Sequence, residues 1–234
     1  MIARVLSILA ILGLAFAMVP LAVDVAPQSD LSPLSQTYVE QSAGTLGAQN
    51  VVTAIVVTFR GLDTLGEVTV LFIATAGVGF LLRVREDHRE KEETDRRGHV
   101  GSTSEILATG SRFLLPLLFL FGVYIFLHGH LTPGGGFQGG VVLASGVLLL
   151  ILGSTTTRIG HTMLSVIESL SGVFYVAAGL AGIFLASGFL DTTFLPTGTF
   201  GSLVSAGAIP VIYTFVGLKV GAELSGILEN LRSR

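Results

Sequence analysis

Several apolar runs in this sequence approach the length of a membrane-crossing helix, and that length limits the folds available to the chain. A helix needs about 20 apolar residues to cross the hydrocarbon core. Inside a bilayer the backbone has no water to bond, so a spanning segment satisfies its own peptide groups best as a helix. Only 12% of the residues are charged, against about 25% in soluble domains. The sequence therefore predicts an all-α polytopic membrane protein.

About six spans are predicted. They lie at about 5–23, 62–82, 105–128, 138–155, 162–187 and 202–228. The first run follows a short basic start, so a cleavable signal peptide is its alternative interpretation. A straight helix over residues 50–82 would be roughly 50 Å long, which exceeds the hydrocarbon thickness of about 30 Å. We therefore expect a bend near Gly61, with a short helix along the membrane surface before the second span.

The distribution of Lys and Arg predicts the orientation. If the spans alternate, ten of the 13 Lys and Arg residues lie on one side of the membrane. The loops predicted on the other side, at 25–47, 129–137 and 188–200, contain none. Cytoplasmic loops carry the excess of these residues. Both termini are therefore predicted to be cytoplasmic.

Composition also excludes several classes of function. The chain has no cysteine, which excludes disulfides and thiol-ligated iron–sulfur clusters within it. The net charge of -3 argues against nucleic-acid binding. Phosphate-binding loops and His-Glu-x-x-His zinc motifs do not occur in the sequence. We therefore expect no cofactor and no metal site, and we expect that the chain is not an enzyme.

Three ionisable residues, Arg60, Asp63 and Glu67, stand close together at the start of the second span. At about 100° per residue they fall within roughly 60° of one another on a helix. Two carboxylates one turn apart cannot both ionise cheaply in a dry site, which favours a group that carries a proton or transfers a cation. Arg60 would then keep the other carboxylate ionised. The alternative is a neutralised pair of Arg60 and Asp63 that only fixes the bend.

A second set of ionisable residues lies in the later spans, on the side predicted to be cytoplasmic. It consists of Arg112, Glu168, Lys219 and Glu223. One interpretation is a hydrated pocket that exchanges a cation or a proton with the cytoplasm. The other is a set of interhelical salt bridges, in which the long basic side chains extend to the membrane interface.

The stretch at 126–145 joins two apolar runs and contains two histidines and a group of glycines around Pro133. Glycine permits positive φ and close backbone approach, and Pro133 suits the first turn of a returning helix. A tight hairpin between two spans is therefore predicted. Histidine as a residue type titrates near neutrality, but His128 and His130 point apart on a helix, which argues against a shared metal site. His130 is a candidate for an ion path, and an interfacial helix end is the alternative.

We identify a resemblance to the MnhB subunit of the Mrp (Mnh) multisubunit sodium/proton antiporters in the run Gly129-His-Leu-Thr-Pro-Gly-Gly-Gly-Phe-Gln-Gly-Gly140. It covers about 105–230 and includes the run Arg112-Phe-Leu-Leu-Pro-Leu. The last span, with Lys219-Val-Gly-Ala-Glu223, is more similar to the version in archaeal-type membrane-bound hydrogenases and their sulfur-reducing relatives. The resemblance implies a structural loop formed by Pro133, Gly134, Gly135, Gly136 and Phe137.

The first module carries a second resemblance. The run from Asn50 to Glu67 is similar to the small E subunit of those hydrogenases and equally to the C-terminal tail of the large A subunit of the antiporters, with Leu62 where the usual form has Phe. The chain therefore resembles a fusion of two adjacent subunits. A two-span module at 1–83 would be joined by a charged linker at 84–104 to a four-span domain at 105–234.

The resemblance implies a non-catalytic, multi-pass subunit of a complex in the plasma membrane of a prokaryote. Its partners would be other membrane subunits, protons, Na+ or another monovalent cation, and the lipid bilayer, with no nucleic acid. Asp63 and Glu67 match family positions implicated in cation passage. The alternative is the ion-pumping arm of a membrane-bound hydrogenase-type redox complex, which a neighbouring [NiFe] large-subunit gene would favour. A stand-alone channel or scaffold is a third interpretation, which the small number of charges in the spans disfavours.

Overall fold

The computed structural model describes residues 2–24, 31–89, 104–154 and 159–232, and these form helices and no β-strand. The helices are α1 (Ile2–Asp24), α2 (Pro33–Gly44), α3 (Val51–Ala54), a π-helical turn (Ile55–Phe59), α4 (Gly61–Arg89), α5 (Glu105–Leu127), α6 (Gly136–Gly153), α7 (His161–Leu185), a 3-10 turn (Thr192–Phe194) and α8 (Ile209–Arg232). The all-α fold class is confirmed.

Five of the described helices are long and apolar enough to cross a membrane. They contain the segments Gly61–Leu82, Glu105–Leu127, Gly136–Gly153, His161–Leu185 and Ile209–Arg232. A shorter apolar stretch, Arg4–Pro20, lies in α1. The polytopic membrane class is therefore confirmed, while the cytoplasmic location of the termini stays a prediction. Residues 90–103 of the predicted linker lie outside the described part of the chain.

The chain divides into two compact units, residues 1–37 and 38–234. The first unit holds α1, which continues as a helix through Pro20, and the beginning of α2. The second unit holds the other helices. The division into modules at 1–83 and 105–234, each resembling a separate subunit, remains a prediction.

Helix α8 lies at the centre of the second unit. It packs against α6, α7, α4 and α5, and its buried residues include Ile212, Val216 and Val220. The hydrophobic core gathers around the first half of α8, where Tyr175 of α7 and Val68 of α4 also join it. Helix α6 runs in the same direction as α8, since Gly136 lies beside Val216, and Arg232 bonds to Ser154 at the other end.

Two segments differ from the sequence-based expectation. Residues 25–47 were expected to form a polar loop, but α2 lies within them. Pro33 is at its first helical position, and the Ser32 hydroxyl accepts from the Ser35 amide at 3.2 Å, an N-terminal cap that a search for apolar runs does not detect. The last span was expected from 202, but α8 begins at Ile209 because Ala206 and Gly207 have φ of 63° and 57°, which a right-handed helix cannot include.

The helical path is interrupted before the second span. The π-helical turn ends at Phe59, and Arg60 has φ -125° and ψ 35°, outside the helical region. A new helix then starts at Gly61. The Thr64 hydroxyl donates to the Val56 carbonyl at 2.6 Å and so satisfies an acceptor that the interruption frees. The interruption lies where a bend is expected from the sequence, and the position of the short helix along the membrane stays a prediction.

Candidate functional site

The hairpin between α5 and α6 is held by the segment that precedes α3. The Asn50 side chain donates to the carbonyls of Gly129 at 2.9 Å and Thr132 at 3.0 Å, and its backbone amide donates to His130 at 3.0 Å. The Thr53 hydroxyl donates to the same Gly129 carbonyl at 2.5 Å. These bonds satisfy carbonyls of the turn, and the bond from Thr53 to Gly129 is buried. Sequence analysis missed Asn50 and Thr53 because nothing local links them to a turn nearly 80 residues away.

The two histidines of the hairpin have different surroundings. His130 is fully buried, and its Nε2 donates to the Ser202 carbonyl at 3.3 Å. Its Nδ1 has no hydrogen-bond partner among the described residues. Burial lowers the pKa of His130, and the bond to Ser202 offsets this only in part. His128 donates through Nδ1 to the Tyr124 carbonyl at 3.1 Å, and its ring stacks on that tyrosine.

The glycine-rich stretch lets α6 approach α8 closely. Gly135 has φ 153° and immediately precedes α6, so α6 begins at Gly136 and not at Pro133, which lies in the exposed turn. A Cβ on Gly136 would lie 2.7 Å from Val216 and 2.9 Å from the Tyr213 carbonyl. Phe137 packs against the core, and a Cβ on Gly134 would lie 3.0 Å from the Ile125 carbonyl. The predicted loop residues therefore form a packed junction.

At the start of α4, Arg60 and Asp63 form an ion pair of 2.5 Å. Both side chains are largely exposed, at 63% and 52%. Glu67 is also exposed, one turn further along the helix, and it makes no hydrogen bond or ion pair with the described residues. The structure thus joins Asp63 to Arg60 and leaves the Glu67 carboxylate on the outer surface of the bundle. Leu62 and Val70, at 67% and 66% exposed, share that apolar surface.

A second charged group lies inside the bundle, between α4, α7 and α8. Lys219 Nζ is 2.7 Å from Glu223 Oε1, and the two side chains are 11% and 0% exposed. The ammonium lies 5.1 Å from the ring centroid of Phe72, within cation–π distance. Glu168 of α7 lines the same cavity as Glu223 and interacts with it electrostatically. The ion pair lies within one helix, so it is not an interhelical salt bridge.

Arg112 does not join this group. It lines a smaller cavity of about 140 Å³ between α5 and α6, together with Ser111, Gly153 and Ser154. The structure therefore brings together Lys219, Glu223 and Glu168 and keeps Arg112 apart from them. In the described ranges, no three His, Asp or Glu side chains are grouped as a metal ion would require.

Two families match the chain. Residues 106–226 match the family described as a domain related to the MnhB subunit of Na+/H+ antiporter. Residues 3–97 match the family described as the E subunit of MBH. A similar protein of Methanocaldococcus jannaschii, named only as uncharacterised, is 31% identical over 196 residues, which is 75% of this chain and 74% of that protein. The A/B subunit of a probable K(+)/H(+) antiporter of Rhizobium meliloti is 33% identical over 145 residues, 53% of this chain and 14% of that protein.

Solved structures of membrane complexes also resemble this chain. One is the membrane-bound sulfane sulfur reductase, an archaeal respiratory membrane complex. The match has a TM-score of 0.81 and 43% identity and covers 99% of this chain and 98% of that one. Another is the Mrp complex from a Dietzia species, with a TM-score of 0.74 and 25% identity, covering 98% of this chain. The chain spans only 26% of that second protein.

Proposed function

The chain belongs to the family of domains related to the MnhB subunit of Na+/H+ antiporters, and we propose that it is a non-catalytic membrane subunit of a multisubunit antiporter. This antiporter would exchange Na+ or another monovalent cation for protons across the plasma membrane of a prokaryote. The chain would contribute to the cation path and to assembly. The observation that carries the proposal is the charged surface at the start of α4, formed by Asp63 and Glu67 with the preceding Arg60.

This surface needs a partner. An ionised side chain facing lipid costs about 2.5–3.5 kcal/mol at mid-membrane on insertion scales, and less towards the interface. Asp63 and Glu67 are exposed in this chain, on a helix whose outer surface is otherwise largely apolar. Another membrane subunit that covers α4 would remove this cost. The solved structures that resemble this chain belong to multisubunit membrane complexes, which supports such a partner.

The chemistry of the surface suits cation transfer. Arg60 forms an ion pair with Asp63 and so offsets the charge of that carboxylate. Glu67 has no such counter-charge within the described part of the chain. A carboxylate at a subunit interface can bind a partly dehydrated cation or a proton in turn. We assign this role to Glu67, with Asp63 and Arg60 setting the local charge.

The other candidates have separate positions. The internal group consists of Glu168, Lys219 and Glu223. We assign it to the proposed ion path as well, at a position inside the bundle. The His130 ring bonds to the Ser202 carbonyl, and Arg112 lines its own cavity. We propose that His130 and Arg112 contribute mainly to assembly and less to ion flow.

The test is conservative replacement of the α4 carboxylates in the whole complex. Asp63→Asn and Glu67→Gln keep the shape and remove the charge. Glu40→Gln, an exposed carboxylate on α2, is the matched control. The measurements are complex yield after mild solubilisation and cation-dependent pH change in membrane vesicles. The proposal expects normal yield with strongly reduced exchange for both α4 variants and no change for the control.

Other results separate the alternatives. Loss of yield for Asp63→Asn would show that the pair with Arg60 is structural, because removing one partner strands the other charge. Normal yield with normal exchange in both α4 variants would refute the cation-path role.

One observation favours a second candidate function, namely the match to the archaeal respiratory complex over nearly the full length of both chains. In that case the chain would serve as an ion-translocating membrane subunit of a redox complex, again without catalysing the redox reaction. Purifying the intact complex through this chain and identifying its subunits by mass spectrometry distinguishes the two. Antiporter-type subunits alone indicate the first function, and additional iron–sulfur or metal-containing subunits indicate the second.

A further inference from the structure

A cavity of about 710 Å³ lies between α4, α7 and α8. Its polar lining follows one face of α7, where His161, Ser165 and Glu168 are spaced by four and three residues. On α8 the lining includes Glu223 and Asn230. At about 30 Å³ for each liquid water, the space holds on the order of twenty waters. Between His161 and Glu168 the lining extends about 10 Å along α7, at 1.5 Å per residue. Glu223, which belongs to the buried ion pair, also lines the cavity.

Glu223 is the most deeply buried of the charged groups that line the cavity. Its side chain is fully buried, and Lys219 contacts only one of its carboxylate oxygens. The other oxygen, Oε2, has no hydrogen-bond partner among the described residues. A buried acceptor without a partner is costly, and the adjacent cavity offers space for a water that could donate to it. Lys219 is itself fixed from two sides, by the ring of Phe72 and by the backbone near Gly172.

The charged groups around the cavity do not balance. Glu168 of α7 and Glu223 of α8 are two carboxylates in electrostatic contact, and Lys219 of α8 supplies one ammonium. His161 of α7 also faces the cavity, while the described side chains of α4 present no ionisable group to it. With the imidazole neutral, the group carries one net negative charge. One added proton neutralises it.

We propose that this cavity is a water-filled proton path and that Glu223 is the group to which it delivers the proton. The proposal rests on the proposed antiporter function and states where one of the exchanged ions enters this chain. A proton passes from a protonated cavity water to Glu223 Oε2, so an O–H bond of that water breaks and an O–H bond of the carboxyl group forms. Lys219 keeps its three protons. Release reverses the step, with a cavity water as the acceptor.

A proton fits the site better than a metal cation does. A bound metal ion needs several converging ligands, and within the described ranges no cluster of three His, Asp or Glu side chains is present. A chain of waters that ends at Glu223 does not require such a cluster.

The first test asks whether the cavity contains water in the assembled complex. The chain has no native cysteine, so a single introduced thiol in it is unique. Ser165→Cys places a thiol in the cavity, and Ser171→Cys is the matched control, because Ser171 lies on the same helix but is buried in the packing. The complex is treated in membranes with a small, impermeant, cationic methanethiosulfonate, and the mass of the purified chain is measured. We expect modification of Ser165→Cys and none of Ser171→Cys.

An unmodified Ser165→Cys in the assembled complex would overturn the proposal, because a partner helix or lipid would then fill the space. This readout does not depend on transport. The cavity proposal can therefore fail while the Asp63 and Glu67 variants still support the antiporter function, and the reverse can also occur.

The second test asks whether Glu223 takes up the proton. Glu223→Gln preserves the shape and removes the titration, and Glu229→Gln is the control, since Glu229 is buried on the same helix but does not line the cavity. In vesicles, we expect at least a tenfold lower rate of cation-driven proton movement for Glu223→Gln at normal complex yield. Glu229→Gln should retain most of the rate. If the two variants have equal rates, Glu223 is not the proton acceptor.

Discussion

The close contact of α6 with α8 makes a quantitative prediction about two glycines on the same helix. A Cβ on Gly140 would lie 2.8 Å from the carbonyl oxygen of Gly217 and 2.8 Å from Cβ of Val220. A Cβ on Gly146 would meet nothing nearer than 3.5 Å. Gly140→Ala and Gly146→Ala therefore make the same chemical change in very different space.

The expected difference follows from these distances. Ordinary contacts between carbon atoms begin near 3.5 Å, so the Gly140 Cβ is about 0.7 Å too close to Val220 and also meets a backbone atom that cannot rotate away. Overpacking of this kind costs about 1–3 kcal/mol. Both substitutions gain the same helix propensity, up to about 1 kcal/mol. Gly140→Ala should therefore be less stable than Gly146→Ala by about 1–3 kcal/mol.

The assay is thermal unfolding of the two variants in the same detergent, followed by circular dichroism. For a chain of this size, about 1 kcal/mol corresponds to a shift of roughly 2–4 °C. The midpoint of Gly140→Ala should thus lie several degrees below that of Gly146→Ala. Equal midpoints would refute the argument, because they would show that α6 and α8 can separate at Gly140 without cost.

Two further predictions concern the orientation and the buried histidine. Single cysteines placed at Ser35, Thr132 or Thr193 should react with an impermeant thiol reagent added outside intact cells, and one placed at Thr94 should not; labelling at 94 from outside would reverse the predicted topology. Burial lowers the pKa of His130, so its contribution to stability is complete above the ordinary value of about 6.5 and is lost as the pH falls through the lowered value. The unfolding midpoint of the natural chain should therefore drop on acidification more than that of His130→Gln, with His128→Gln behaving like the natural chain; parallel curves for all three would contradict it.

The apolar runs were enough to predict the helical membrane fold and four of the later spans within a few residues. Helix length and hydropathy are local properties, so the sequence reports them directly. The start of α8 was placed seven residues too early because the positive φ of Ala206 and Gly207 leaves no signal in an apolar count. The helix α2 was missed because a polar surface helix has no apolar period to detect.

The candidate site was predictable in its residues and less so in its partners. The spacing of Lys219 and Glu223 accounts for their ion pair, because residues four apart share a helix face. The contact of Arg60 with Asp63 was one of the two alternatives open at that stage. Spacing within one helix carries no information on which helices pack together. The separation of Arg112 from Glu168 and the bonds from Asn50 to the hairpin therefore could not be predicted from the sequence.

The π-helical turn at Ile55–Phe59 has a consequence for the length of the chain. A π-helical turn holds one more residue within each hydrogen-bonded ring than an α-helical turn does. The wide turn is closed here by the Arg60 amide, which donates to the Ile55 carbonyl at 2.7 Å. Loss of a single residue within Ile55–Phe59 would remove that extra residue, and the non-helical Arg60 separates the change from α4. A one-residue deletion is therefore better tolerated here than in α6 or α8, where it would rotate every following side chain by about 100°.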